Sequence, residues 1–225
     1  MKTVVVWDIH WLSMWQDIVN KEKEFDKFIF IWDYFDSFNI PQSEQIKNFD
    51  NILKFYKENK SKVILLLGNH DFQYLPDVKE KYSWFNEITK LSISHTLKSL
   101  FDKWVIKTHY KDNENKIIFS HAWISSWWLA YNWIKNINKW NFKIESLLFN
   151  RYDQSSCWDY WLQWPIWIRP NSLKDNMLEW YRQIVWHTRQ KSIQNMWDLW
   201  LIDALDYWYY ITIEDWELFV KNLYH

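Results

Sequence analysis

Tight turns, helix ends and loops that hug an anion are normally built on glycine, and this chain has almost none. Gly68 is its single glycine in 225 residues. An ordinary globular sequence carries about 7% glycine, or roughly 16 residues at this length. A chain without glycine has few positions where the backbone takes φ > 0 without strain. The deficit is matched by a surplus of 21 Trp, normally among the rarest residues. One turn shows where that surplus sits. Tyr207–Ile213 and Glu217–Val220 flank Glu214-Asp215-Trp216 and read as two strands of a hairpin. Asp-Gly is the favoured two-residue hairpin turn because both central residues need positive φ. Here the pair is Asp-Trp, and a bulky residue is strained in that conformation. A Trp stands where a glycine is expected.

The remaining composition narrows the class. Hydrophobic residues make up 48% and charged residues 24%, which is globular rather than disordered. The length fits one domain, residues 1–225. A lone Cys157 excludes a disulfide framework and a cysteine-based zinc site. A net charge of -1 gives no bulk electrostatic case for nucleic acid or an anionic membrane. No segment approaches the roughly 18 apolar residues of a membrane span. The opening MKTVVVWDIH is too short in its apolar run for a signal peptide, so the expected location is the cytoplasm.

Short apolar runs recur at strand length: Val4–Val6, Phe28–Ile31, Val63–Leu67, Ile117–Phe119 and Ile184–Val185. Between the second and third lies a helical pattern, Gln42–Asn59, with Ser43 and Glu44 as expected cap residues. Its apolar positions Ile46, Phe49, Ile52, Leu53 and Tyr56 fall on one face. Strand, helix, strand at this spacing is the βαβ pattern of an α/β fold.

Each apolar run is followed by a small polar cluster. These are Asp8 and His10; Asp33 and Asp36; Asn69, His70 and Asp71 after Gly68; Ser120 and His121; and His187 with Thr188. Ligands of open α/β sheets bind beyond the carboxyl ends of the strands, so five such ends bring these groups to one rim. Taken singly, each cluster reads as a cap or a turn. Their recurrence at every strand end reads as a site. Carboxylates, an amide and imidazoles without thiolate suit Mn, Fe or Zn in an open catalytic centre.

In these residues the chain resembles the calcineurin-like metallophosphoesterases, which include protein Ser/Thr phosphatases and diadenosine tetraphosphate hydrolases. Their blocks run D-x-H, G-D-x-x-D, G-N-H-[DE], H-A-G and G-H-T. The chain reads DIHW at 8–11, WDYFD at 32–36, GNHD at 68–71, SHAW at 120–123 and WHT at 186–188. Within these blocks the departures, Trp11, Trp32, Trp123 and Trp186, all put Trp where the family has Gly.

The resemblance implies a four-layer α/β/β/α sandwich with a dinuclear metal site at the strand C-terminal ends. By the same resemblance Asp8 and His10 hold one metal and Asp33 bridges to the second. Asn69, His121 and His187 complete that second position. Two divalent ions are implied, Mn foremost, with Fe and Zn as alternatives. A hydroxide bridging them attacks phosphorus in a phosphomonoester or phosphoanhydride, His70 protonates the leaving group and Asp36 orients His70. Asn69 and His70 also contact phosphate. The phosphatase Arg that follows the second block is missing, since Ser37 and Phe38 follow Asp36. Arg169, in WPIWIRPNSL at 164–173, is the expected phosphate-binding replacement, with Arg151 and Arg189 weaker candidates. An insert at about 124–170 is expected to form the cap that selects substrate, a phosphorylated protein or a nucleotide. His95 and His109 fall outside the blocks and read as surface or loop histidines.

The Trp-for-Gly pattern reads as a matter of coding. A gene in which UGA specifies glycine, translated with a table in which UGA specifies tryptophan, would give this composition, this hairpin and these four departures. Some Trp are then genuine, with Trp167 a candidate. Two alternatives stand beside the leading reading. One is a nuclease or cyclic-nucleotide phosphodiesterase of the same superfamily, disfavoured by Arg189 where a further His is usual. The other is a non-catalytic binding module, which requires the motif Trp residues to be real.

Overall fold

The structure is a computed structural model. It describes residues 1–7, 14–31, 33–37, 39–76, 78–79, 81–131, 133–134, 166, 176–185, 192–196, 199–202 and 208–224. Two multi-stranded sheets form its centre. The first is built from β1 (Lys2–Trp7), β2 (Lys27–Ile31), β3 (Val63–Leu66), β4 (Ile106–Lys107), β10 (Tyr209–Glu214) and β11 (Glu217–Asn222), in the order β11-β10-β1-β2-β3-β4. The second takes β5 (His109–Asp112), β6 (Ile117–Ser120), β7 (Arg182–Val185), β8 (Gln194–Met196) and β9 (Leu199–Leu201), in the order β5-β6-β7-β9-β8. The helices are α1 (Met14–Lys21), α2 (Gln42–Glu58), α3 (Asn69–Phe72), α4 (Glu87–Asp102) and α5 (Ser126–Tyr131). Two sheets with helices agree with the α/β/β/α sandwich expected from the sequence.

All five apolar runs are strands, and β1, β2, β3 and β4 pair in parallel. Parallel pairing requires crossover connections, and α1 and α2 lie in the first two of them. Because β1, β2 and β3 run the same way, Asp33 and Asn69 follow their strands on one edge of the sheet. β6 and β7 are likewise parallel, which puts His121 at the equivalent end of the second sheet. Val4, Val5 and Phe30 of the first sheet and Ile117, Phe119 and Ile184 of the second belong to one buried apolar cluster. Helix α2 buries Phe49, Ile52 and Leu53 as its spacing predicts, but its cap differs. Pro41 occupies the N-cap position and no side chain caps the helix there. The fixed φ of Pro41, -55°, starts the helix instead.

Several turns carry Trp in the left-handed conformation. Nine described non-glycine residues have positive φ, and six of them are Trp: Trp84, Trp104, Trp133, Trp180, Trp208 and Trp216. At the hairpin, Glu214 pairs with Glu217, leaving Asp215 (φ 46°) and Trp216 (φ 77°) as the two-residue turn. Positive φ at both positions is the type I′ conformation. The end of α4 closes with Trp104 N–H donating to Phe101 O and Val105 N–H to Leu100 O, both at 2.9 Å. That is the Schellman pattern, whose left-handed residue is usually glycine, and here it is Trp104 at φ 59°. The same pair of bonds, from Trp133 and Ile134, closes α5.

Candidate metal centre

Asp33 lies just after β2 and is fully buried, as is His121 just after β6. Asn69, at the start of α3, is 1% exposed. The three meet. His121 Nε2 is 2.6 Å from Asn69 Oδ1 and 4.0 Å from Asp33 Oδ2. The other Asp33 oxygen accepts the His70 backbone N–H at 2.9 Å, which ties the β2 loop to the turn that carries Asn69. Asp71 adds a second tie. Its fully buried carboxylate accepts the backbone N–H groups of Tyr34 (2.6 Å) and Gly68 (3.0 Å). Gly68 itself has φ -93°, so here glycine's left-handed freedom is not used. The loop after β6 is clamped by Gln183 of β7, whose amide accepts from Ile124 N–H at 3.1 Å and donates to Ile124 O at 2.9 Å.

Beside these donors stands the predicted catalytic pair. His70 Nδ1 is 2.9 Å from Asp36 Oδ2. Asp36 is buried, and its backbone is left-handed at φ 70°. His70 remains part-exposed, with 23% of its side chain accessible. Gln73 Nε2 also donates to Asp36 Oδ2, and the Tyr74 hydroxyl donates to Asp36 Oδ1. Burial, reinforced by the Asp36 carboxylate, pushes the Tyr74 phenol far above its ordinary range, so it stays a donor. Gln73 and Tyr74 were not singled out from the sequence. Their signal was available: they lie three and four residues after His70, the spacing that shares a helical face.

Asp8, His10 and His187 lie outside the described residues, as do Arg169, Arg151, Arg189 and most of the expected cap at about 124–170. Among the described residues no group of three His, Cys, Asp or Glu side chains gathers in a way that could hold a metal ion. The described donors nonetheless suit one chemically. A carboxylate, an amide oxygen and an imidazole, all buried within 4.0 Å of His121 Nε2, form the oxygen–nitrogen set of a hard or borderline dication. His109 corrects an expectation. It is a buried residue of β5, 4% exposed, with Nδ1 3.0 Å from Thr108 Oγ1, and not a surface histidine. His95 is exposed on α4, as expected.

Two Trp flank the rim. Trp7 ends β1 immediately before Asp8, and Trp123 follows His121 by two residues. Both are buried, and neither indole N–H has an acceptor among the described residues. Buried indoles normally find one. Trp15 shows the ordinary case, donating to Asn48 Oδ1 at 2.9 Å and packing edge-on to Phe30. Trp123 does not have positive φ; Trp11, Trp32 and Trp186 lie outside the described residues.

Among the described residues no helix is long and apolar enough to cross a membrane. A search of curated proteins finds no match. The family model for calcineurin-like phosphoesterases matches residues 1–201. That span contains both sheets' parallel strands, the Asp33–Asn69–His121 cluster and the His70–Asp36 pair, and the chain belongs to the calcineurin-like phosphoesterase family.

Proposed function

We propose that this phosphoesterase hydrolyses phosphomonoester or phosphoanhydride bonds in the manner of Ser/Thr phosphatases and dinucleoside polyphosphate hydrolases. The observation that carries the reading is the meeting of Asp33, Asn69 and His121 from three separate strand ends, with His70–Asp36 alongside. Asp8, His10, Asp33, Asn69, His121 and His187 would hold two divalent ions, with Mn the first choice. When bound, such a pair supplies an activated water and offsets charge on the phosphate oxygens. Asn69, His70 and Arg169 orient the phosphate. Asp36 holds His70 Nδ1, leaving Nε2 to carry the proton. As the P–O bond to the leaving group breaks, its electron pair passes to the leaving oxygen, which takes that proton. The substrate is a phosphorylated protein or a nucleotide, and the cytoplasm, where a lone cysteine stays reduced, suits the chain.

We also infer that Trp104, Trp216 and the other Trp at positive φ stand for glycines encoded by UGA. Six turn positions that call for glycine, and the buried Trp123 indole, which has no acceptor among the described residues, support this. The codons decide it. Positions 84, 104, 133, 180, 208 and 216, with 11, 32, 123 and 186, should be UGA, and Trp15 should be UGG. UGG at the rim positions would make the indoles real and favour a non-catalytic binding module. The activity itself is tested on the chain made with glycine at its UGA codons. Mn-dependent release of phosphate from an aryl phosphate is expected. Release from phosphodiesters alone would favour a nuclease or cyclic-nucleotide phosphodiesterase.

A further inference from the structure

Asp36 is an unusual anchor for a histidine. Its φ of 70° is left-handed, a conformation that non-glycine residues keep only when their surroundings enforce it. Three side chains enforce it here. Oδ2 is shared by His70 Nδ1 and Gln73 Nε2, and Oδ1 takes the Tyr74 hydroxyl. The two added donors are themselves fixed. Gln73 is fully buried, and its Oε1 accepts the Tyr82 backbone N–H at 2.6 Å. The Tyr74 oxygen accepts the Asn86 backbone N–H at 3.1 Å. Asn86 in turn caps α4, its Oδ1 accepting from Ile88 and Thr89. The Tyr74 ring packs on Phe35 at 5.6 Å and stacks on Phe85 at 5.3 Å. A continuous chain of hydrogen bonds therefore runs from the start of α4 through Tyr74 to Asp36 and on to His70.

The geometry points to Gln73 and Tyr74 as positioning residues for proton donation: they lock both oxygens of the Asp36 carboxylate so that His70 is held by Nδ1 and presents Nε2 to the leaving group. This rests on the phosphoesterase reading above. Without Tyr74 and Gln73 the carboxylate can rotate about its side-chain torsion, and the imidazole loses a fixed partner. Proton donation matters most when the leaving oxygen is strongly basic, as in an alkyl ester, and least for a nitrophenolate, which departs unaided.

The test uses the full chain with glycine at its UGA codons, and compares Tyr74→Phe and Gln73→Leu with the parent. On glycerol 2-phosphate, an alkyl ester, kcat should fall about 10-fold, a part of the usual general-acid contribution. On 4-nitrophenyl phosphate it should change less than about 2-fold, with KM unchanged on both. Equal losses on the two esters would overturn the proposal, because a merely structural defect does not discriminate leaving groups. A second readout needs no metal and no turnover. Long-range proton–nitrogen NMR of the His70 ring at alkaline pH should show the Nδ1–H tautomer in the parent and a mixture in each variant. An unchanged tautomer in both variants would overturn the proposal even if the parent hydrolysed neither ester, the outcome that would instead sink the phosphoesterase reading.

Discussion

Glu22 and Asp36 are both buried carboxylates, held at opposite ends of the first sheet by different chemistry. Glu22 lies near the start of β1. Lys2 approaches it at 2.6 Å, Lys221 at 3.1 Å, and the Tyr210 hydroxyl donates at 2.6 Å. Two ammonium groups neutralise it, and nothing about it awaits a ligand. Asp36, beyond the other end of β2, is held by an imidazole, an amide and a phenol. Those donors fix the position of both carboxylate oxygens, and one of them, His70, is part-exposed. A carboxylate paired with lysines belongs to stability. One held beside a reachable histidine is where the proposed phosphoesterase chemistry would act.

Substitutions at the two ends should therefore separate activity from stability. The largest effect is expected from Asp33→Asn, which removes the carboxylate that meets Asn69 and His121. Turnover should vanish while the circular dichroism spectrum and melting temperature stay close to the parent's. His70→Asn should lower kcat about 10²–10⁴-fold, the range of a general acid, measured by steady-state kinetics on an alkyl phosphate. A full loss of folding in either variant would erase the distinction between the two ends.

The Trp residues sharpen the contrast in stability. Trp15, with its N–H satisfied and its ring in the core, should cost about 3–5 kcal/mol when changed to Ala. Trp216→Gly, at φ 77° in the exposed hairpin, should instead stabilise by about 1–2 kcal/mol, the penalty of a side chain in the left-handed region. Urea denaturation measures both, and equal signs would contradict the assignment of these two Trp to different classes.

The smallest effect is expected from Glu22→Gln, and it depends on pH. Burial opposes ionisation of Glu22, but the hydrogen bonds from Lys2, Tyr210 and Lys221 prevail and hold its pKa below the ordinary 4.5. A carboxylate with a depressed folded pKa contributes stability above its unfolded pKa and loses it as pH falls through the folded value. The parent should thus be more stable than the variant at neutral pH and converge on it as pH falls through the depressed folded pKa, with activity per folded molecule unchanged. A gap that persisted into acid would show that the ammonium contacts are not the source of the stability.

Much of this arrangement could be read from the residues alone. Val4–Val6, Phe28–Ile31 and Val63–Leu67 are short, wholly apolar runs, and their spacing leaves room for a helix between each pair. That dictates parallel strands and so places Asp33 and Asn69 on one edge. The Asp215-Trp216 hairpin was legible because a two-residue turn has a fixed backbone requirement. Other features were hidden in long-range geometry. Trp84, Trp104, Trp133, Trp180 and Trp208 sit at helix ends and turns whose φ depends on where each element stops, which local pattern does not fix. The grip of Gln73 and Tyr74 on Asp36 joins residues 37 and 38 positions apart. His109 carries no motif, and its burial follows from pairing opposite Ser120 in a short strand.

Metal binding tests the central claim most directly. Equilibrium dialysis of the full chain, made with glycine at its UGA codons, against Mn²⁺ counts the ions held. Two ions per chain are expected, with loss of occupancy in Asp33→Asn. No binding above that of an unrelated protein would contradict a dinuclear phosphoesterase and leave the Asp33–Asn69–His121 cluster as a structural network.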